Sequence, residues 1–235
     1  MVSINPASTL TWPGSGNQRT LAGRGFVVAV VQPQPLLRAG LEKVAGDALP
    51  GAQIHSYGSP ESLFECGRRG SFDLVVTEVN LRVPESSLSS LEKLRKTLPK
   101  AQILALSPLP ERQFGLSALR SGANVFLPLG TSLEEFGTAL QAMVSGAGYI
   151  SSEMAAAVAD EAQGKGMRSG FAKLSPRELD VMRHLIWGMQ LKTIASTLGL
   201  NIRTASCYKR NALGKLGMSS IAEVVRYSSE HGLTV

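Results

Sequence analysis

The chain has 235 residues, of which 43% are hydrophobic and 18% are charged, and this length is enough for two domains with separate cores. Its net charge of +6 is concentrated in residues 165–235, which hold 11 Lys and Arg against four Asp and Glu, whereas residues 25–164 hold 11 against 14. Cys66 and Cys207 have no metal-ligand spacing, and no apolar run could span a membrane or form a signal peptide, so we expect a cytoplasmic protein without a metal or other cofactor.

Residues 1–24 are rich in Ser, Thr, Gly, Pro and Asn and have no hydrophobic period, which predicts a flexible leader. From Phe26 onward, short apolar segments alternate with amphipathic ones. An unbroken apolar run such as FVVAVV is typical of a strand that is buried on both faces of a parallel sheet. Five strands are predicted, at 26–31, 52–57, 73–76, 102–106 and 124–127.

Five helices alternate with these strands. Leucines at helical spacing indicate the first helix, Ser59-Pro60 begins the second, and the last three are predicted at 87–98, 111–121 and 133–145. The alternation implies right-handed crossovers and an α/β doubly wound, five-stranded parallel sheet over residues 25–148, in the flavodoxin-like order 2-1-3-4-5. Functional groups in such sheets lie at the carboxyl ends of the strands.

Residues 149–172 are predicted to be a linker. SSEMAAAVADEA within it indicates a short helix, and GKGMRSG is the predicted hinge. An all-α domain follows at 173–235. Ser175-Pro176-Arg177-Glu178 is a capping box with Pro at the first helical position, so a helix should begin at Pro176 and end near Gly188.

A second short helix of this domain is predicted at 191–198, where it meets Gly199. Asn201 can cap a third helix at 202–216, and a fourth helix at about 219–229 should pack on the others. Two short helices joined by a glycine-containing turn are the helix-turn-helix pattern, in which the second of the two enters the major groove of DNA.

The third helix has two faces on a helical wheel. Ala205, Tyr208, Ala212 and Leu216 should face the neighbouring helices. The opposite face and its flanks carry mainly hydrogen-bond donors and positive charges: Arg203, Ser206, Cys207, Lys209, Arg210, Gly214 and Lys215. Such a surface can hold phosphates and contact the base edges of double-stranded DNA. The alternative is an ordinary basic face that contacts only solvent.

The motifs LSPRELDVM, KTIASTLGLNIRTAS and KLGM make residues 174–230 resemble the LuxR-type helix-turn-helix. AVVQPQPLLRAGL, FDLVVTEVNL and SALRSGANVFL make residues 25–148 resemble the receiver domain of response regulators, and the whole chain is similar to the NarL/FixJ class. The third helix departs from the commonest form of the family at Ser206, Cys207 and Tyr208. The resemblance therefore implies a DNA-binding transcription regulator and leaves its DNA sequence open.

Receivers of this class are phosphorylated on an aspartate after the third strand, with Mg²⁺ held by an acidic pair after the first strand and a charge-balancing lysine after the fifth. The resemblance puts Gln32 and Pro33 at the acidic pair, Glu78 at the phospho-acceptor position and Leu129 at the lysine position, whereas Ser107 keeps the hydroxyl after the fourth strand. Mg²⁺ usually requires carboxylate ligands, and a transferring phosphoryl group requires charge neutralisation. These residues predict a degenerate receiver that acts independently of phosphorylation.

Two interpretations of Glu78 are open. Its carboxylate could mimic a phosphorylated aspartate and act through Ser107. Alternatively, Glu78 is a polar residue that is merely tolerated at the end of a strand.

The predicted function is a sequence-specific transcription regulator that acts as a homodimer, with the receiver as a dimerisation platform and an unknown ligand or protein as a candidate input. The residues expected to contact phosphates are Lys192, Arg203, Thr204, Lys209 and Lys215. The residues expected to face base edges are Ser206, Cys207 and Arg210.

The alternative function is that of an auxiliary protein, which forms a heterodimer with another response regulator and modulates its promoter binding. An enzyme is the weakest of the three classes. The sequence contains no phosphate-binding glycine loop, nucleophile elbow or metal-ligand cluster.

Overall fold

The computed structural model of the protein describes residues 25–67, 72–79, 88–162 and 170–230. The predicted leader and most of the predicted hinge lie outside the described residues. Among the helices within these ranges, none has the length and hydropathy that a membrane span requires.

Five parallel strands form one sheet: β1 Val27–Val31, β2 Gln53–Tyr57, β3 Leu74–Glu78, β4 Gln102–Ser107 and β5 Val125–Pro128. Their order is β2-β1-β3-β4-β5, which confirms the predicted flavodoxin-like topology. β3 and β4 extend beyond their predicted ends and include Glu78 and Ser107. Glu78 pairs with Leu106 in the ladder, because backbone hydrogen bonding does not depend on an apolar side chain.

Helices cover both faces of the sheet: α1 Pro35–Ala48, α2 Pro60–Gly67, α3 Leu88–Thr97, α4 Glu111–Arg120 and α5 Leu133–Ser145. Alternate strand residues point to opposite faces. Val28 and Val76 belong to the core beneath α1 and α5, whereas Ala29 and Val75 belong to the core beneath α2, α3 and α4. The strands are buried on both faces, which is why unbroken apolar runs predict them. The five strands and α1 to α5 are called the sheet domain below.

The predicted linker contains a helix, α6 Ser152–Ala162, that packs on α4 of the sheet domain. At its start, Ser151 Oγ accepts a hydrogen bond from the Met154 N–H (3.0 Å) and donates one to Glu111 Oε1 (2.6 Å). Met154 is only 3% exposed, and a Cβ built on Gly115 of α4 would lie 1.9 Å from the Met154 Cε atom. The methionine therefore fills the space that the missing side chain of Gly115 leaves.

Four helices form the helical domain: α7 Pro176–Ile186, α8 Leu191–Thr197, α9 Ile202–Leu216 and α10 Ile221–Glu230. The bounds of α9 are those predicted. α10 begins two residues later than predicted, because Ser220 Oγ accepts a hydrogen bond from the Glu223 N–H (3.3 Å) and so lies outside the helix as its cap.

A 3₁₀ turn at Gly170–Lys173 connects the two domains. It contacts α4 of the sheet domain and α9 of the helical domain. Within it, the Phe171 ring is buried and packs against the Tyr227 ring of α10, with a distance of 5.8 Å between the ring centroids. The turn therefore contacts both domains.

Candidate nucleic-acid interface

The first helix of the helical domain begins with the predicted capping box. Ser175 Oγ accepts a hydrogen bond from the Glu178 N–H (3.3 Å), and the Ser175 N–H donates one to Glu178 Oε2 (2.7 Å). Pro176 occupies the first helical position, where its missing N–H has no cost. Two of the backbone groups that a helix end leaves unsatisfied are thereby paired.

Glu178 also binds the far end of α9. Lys215 Nζ lies 2.6 Å from Glu178 Oε2, and the Glu178 side chain is only 5% exposed. Burial alone would raise the pKa of Glu178, but the hydrogen bonds from Lys215 and Ser175 outweigh it and hold the pKa below its ordinary value. Lys215, which we expected to contact a phosphate, thus has a partner inside the domain and joins α9 to α7.

The start of α9 is capped by Asn201, as predicted. The Asn201 Oδ1 accepts hydrogen bonds from the Thr204 N–H (2.8 Å) and from the Thr204 hydroxyl (3.0 Å). A hydroxyl has one proton to donate. While this cap is intact, Thr204 therefore does not donate its hydroxyl proton to a phosphate.

The helical wheel correctly predicts the buried side of α9. Ala205 and Ala212 are fully buried, and Tyr208 and Leu216 are half-buried. The expected DNA-contacting residues with exposed side chains are Lys192 on α8 and Arg203, Ser206, Cys207, Arg210 and Lys215 on α9. Lys209 and Thr204 are half-buried at the flanks.

Cys207 lies beside two hydrogen-bond donors on this exposed face. Its Sγ is 3.9 Å from Arg210 Nη2 and 3.7 Å from Asn211 Nδ2, which are weak hydrogen bonds. Asn211 is itself exposed and was not among the residues predicted from the sequence. Its position one helical turn after Cys207 was the signal that could have indicated it.

A groove of about 360 Å³ follows the carboxyl-terminal half of α9. It is lined by Ser206, Lys209, Arg210, Leu213, Gly214, Met218 and Ser219. Ammonium, guanidinium and hydroxyl groups around a concave surface are suited to phosphate oxygens and to acceptors on base edges. No sequence pattern indicated the contribution of Met218 and Ser219, which follow the end of the helix.

A cation lies at the end of β1, where the resemblance to receivers would place the acidic pair. Arg38 Nη1 donates hydrogen bonds to the carbonyl oxygens of Gln32 (2.7 Å) and Pro33 (3.5 Å). Gln32 is fully buried, and its Oε1 accepts a hydrogen bond from the Gln34 N–H (3.0 Å). A fixed positive charge disfavours Mg²⁺ at this point. Among the described residues, no group of three acidic, His or Cys side chains could hold a metal ion.

Glu78 and Ser107 are buried at the ends of neighbouring strands. Ser107 Oγ donates its hydrogen bond to the Val79 carbonyl (2.6 Å) and accepts one from the Leu109 N–H (3.2 Å). Because the only hydroxyl proton is bound to Val79, Ser107 does not donate to Glu78 in this arrangement. This geometry weakens the interpretation of Glu78 as a phosphate mimic that acts through Ser107.

In the described part of these strand ends lie an apolar side chain and a small cavity. Leu129, at the expected lysine position, is half-buried and packs against the core beneath α1 and α5. The cavity that Glu78 lines together with Val31 and Thr77 has a volume of about 10 Å³, which is space for roughly one water molecule.

Comparison with known proteins relates both domains to bacterial regulators. Residues 172–228 match the family described as "Bacterial regulatory proteins, luxR family". The chain is 28% identical over 207 residues to the transcriptional regulatory protein MctR of Rhizobium johnstonii, covering 88% of this chain and 94% of that protein. It is 24% identical over 207 residues to the response regulator UvrY of Escherichia coli, with the same coverage of 88% and 94%.

Solved structures show the same fold. RcsB from Salmonella enterica serovar Typhimurium, bound to promoter P1flhDC, aligns with a TM-score of 0.69 and 16% identity over 88% of this chain and 100% of that chain. A further structure of Salmonella typhimurium RcsB has a TM-score of 0.68 and 16% identity, over 91% of this chain and 100% of that chain. The protein thus has a receiver-like sheet domain followed by a LuxR-type helix-turn-helix domain. Over most of its length it is similar to bacterial transcription regulators, among them the response regulator UvrY.

Lys215→Met is expected to destabilise the helical domain by about 1 kcal/mol at neutral pH, because it leaves the Glu178 carboxylate without its ammonium partner. Glu178 has a lowered pKa in the folded state, so its contribution is complete above its ordinary pKa of 4.5 and is lost as the pH falls through the folded value. The stability difference between wild type and variant should therefore shrink in acid.

Urea unfolding measures this difference. In a Trp12→Phe background, Trp187 is the only tryptophan, and its fluorescence follows unfolding at the end of α7. Lys192→Met removes the same charge from an exposed position on α8 and is the matched control. The assigned role of the pair would be contradicted if Lys215→Met lowered the free energy of unfolding no more than the control does. It would also be contradicted if the decrease caused by Lys215→Met were the same at all pH values.

Proposed function

We propose that the protein is a sequence-specific transcription regulator that binds double-stranded DNA in the cytoplasm. The observation that carries this proposal is the exposed face of hydrogen-bond donors on α9, the recognition helix of a LuxR-type helix-turn-helix. Residues 165–235 hold 11 positive against four negative residues, a net charge of +7, which favours the release of counterions from DNA. RcsB structures with the same fold are described as bound to promoter DNA.

Within this proposal the exposed residues divide into two groups. Ser206, Cys207 and Arg210 face base edges, and Arg210 is the strongest candidate because a guanidinium can bind guanine through two hydrogen bonds. The phosphate contacts are those of Lys192, Arg203, Thr204, Lys209 and Lys215. Thr204 and Lys215 contribute less than the other three, since Asn201 and Glu178 already bind them.

The proposed regulator acts independently of aspartyl phosphorylation. Glu78 stands at the acceptor position, and Gln32, Pro33 and Leu129 supply neither the carboxylates nor the amine that phosphoryl transfer requires. The Arg38 guanidinium at the end of β1 adds a physical reason against Mg²⁺ binding. The sheet domain is therefore proposed to serve as a dimerisation platform rather than as a phosphotransfer enzyme.

The first prediction compares two neighbouring side chains of α9. Arg210→Ala should weaken binding to the preferred duplex by about 1–3 kcal/mol, because it removes a base contact. Lys209→Ala should weaken binding to all duplexes alike, because it removes a phosphate contact. It should also reduce the slope of log affinity against log salt concentration by about one.

Fluorescence anisotropy with a selected and a shuffled duplex, at several salt concentrations, measures both effects. The two variants change the net charge equally and so control for each other. If Arg210→Ala lost the same affinity on both duplexes, Arg210 would be a phosphate contact and the assignment would be wrong.

The second prediction concerns phosphorylation. Incubation with acetyl phosphate and Mg²⁺ should produce no phosphoryl adduct by mass spectrometry, and beryllofluoride should leave the affinity for DNA unchanged. The variant Glu78→Ala tests separately whether Glu78 mimics a phosphorylated aspartate. An unchanged dimer and an unchanged affinity would rule out mimicry, whereas loss of both would revive it.

The third prediction concerns assembly. We propose a homodimer, which would place two recognition helices on half-sites about one helical turn of DNA apart. RcsB is described as two dimers bound to two parallel DNAs. Light scattering of the full chain, followed by a DNA titration, should give a dimer with specific affinity. A monomer with only salt-sensitive, non-specific affinity would instead favour the auxiliary protein that needs another response regulator as its partner.

A further inference from the structure

The first helix of the helical domain is buried around its whole circumference. Seven consecutive residues of α7, from Glu178 to His184, are buried. A helix at the surface of a small domain normally exposes its polar face. Here the polar residues Asp180, Arg183 and His184 are 0%, 5% and 2% exposed. Ala212 of α9 and Val224 of α10 share one core cluster with Leu179 and Met182 on the apolar side of α7, so the burial of the polar side points to a further packing partner.

The remaining side of α7 is in contact with α3 of the sheet domain. Ser89 Oγ on α3 donates a hydrogen bond to Asp180 Oδ2 (2.7 Å), although the two residues are 91 positions apart in the chain. Among the described residues, the second carboxylate oxygen of Asp180 has no hydrogen-bond partner. Burial raises the pKa of Asp180, and Arg183 and Ser89 partly counteract this effect.

Burying a carboxylate that has one hydrogen bond among the described residues costs free energy, because the charge is removed from water. Asp180, Arg183 and His184 are groups that water would solvate well, so their burial is not a hydrophobic driving force. An interface of this kind between two domains can open. Ser89–Asp180 is a polar contact across it that a single substitution can remove.

Docking on α7 leaves the recognition helix accessible. Arg203, Ser206 and Arg210 are exposed while α3 contacts α7, since their face of α9 points away from that interface. We propose that the docked arrangement is the DNA-binding form, and that the Ser89–Asp180 contact holds the sheet domain where it orients the recognition helix instead of covering it. This inference rests on the proposed DNA-binding function.

Docking would lower the entropic cost of binding DNA. In a dimer, two helical domains on free tethers lose their freedom of orientation relative to each other when both bind DNA, and that loss opposes binding. Domains that are docked on paired sheet domains have already lost this relative freedom. In a dimer, the two docked sheet domains would also fix the separation of the two recognition helices.

The test uses the full chain and variants of the interdomain contact. Ser89→Asp places a second carboxylate against Asp180 and should open the domains. Ser89→Ala removes the donor and should act in the same direction more weakly. Asp180→Asn keeps an oxygen acceptor for Ser89 without the buried charge and should remain docked. Lys96→Ala, at an exposed position of α3, matches the charge change of Ser89→Asp and is the control.

Two measurements are made on each variant. Small-angle X-ray scattering gives the radius of gyration. A binding titration uses the duplex that the wild-type chain selects from a random-sequence library, with a shuffled duplex as reference. Ser89→Asp should be more extended and should bind the selected duplex at least about 5-fold more weakly, the lower range of coupling between sites. Asp180→Asn and Lys96→Ala should match the wild type in both.

An extended Ser89→Asp variant that bound DNA as tightly as the wild type, or more tightly, would overturn the inference, as would an unchanged radius of gyration. If Ser89→Asp does not fold by circular dichroism, the comparison of Ser89→Ala with Asp180→Asn decides the question in the same way. Failure of the proposed function itself would be recognised earlier, because the wild-type chain would then select no sequence from the library.

Discussion

The packing of α9 against α7 relies on one carboxylate, that of Glu178. This carboxylate closes the capping box at the start of α7 and also binds Lys215 at the end of α9. One anion therefore joins the two helices. The carboxylate is nearly buried and remains charged because both its partners are donors. This short chain of contacts therefore holds the end of α9 against the start of α7, beside the apolar core that the two helices share.

The sequence predicted the local parts of this arrangement well. The capping box, the Asn201 cap and the bounds of α9 all follow from interactions between residues at most a few positions apart, which a sequence pattern records directly. The sheet order followed from the alternation of strands and helices, because chain connectivity leaves few topologies. The ends of β3 and β4 were less accurate, since Glu78 and Ser107 continue the backbone ladder despite their polarity.

The contacts between distant segments could not be predicted. Helical periodicity shows that Lys215 lies at the edge of a basic face, but not that Glu178, 37 positions earlier, binds it. The sequence pattern likewise gives no sign that the polar residues Asp180, Arg183 and His184 of α7 are buried, with Asp180 bound to Ser89 of the sheet domain. Arg38 is a comparable case at the strand ends. Its position in α1 does not predict that its guanidinium binds the Gln32 carbonyl at the end of β1. Such partners come from tertiary packing, which a single sequence does not encode in a local pattern.

The close fit of Met154 against Gly115 has an evolutionary consequence. A methyl group at position 115 would lie 1.9 Å from the Met154 Cε atom, so the flexible end of the methionine would have to move before position 115 could gain a side chain. α6 leads along the chain to the 3₁₀ turn that touches both α4 and α9. α6 is therefore held on the sheet domain, and a larger residue at position 115 would have to be accommodated at position 154.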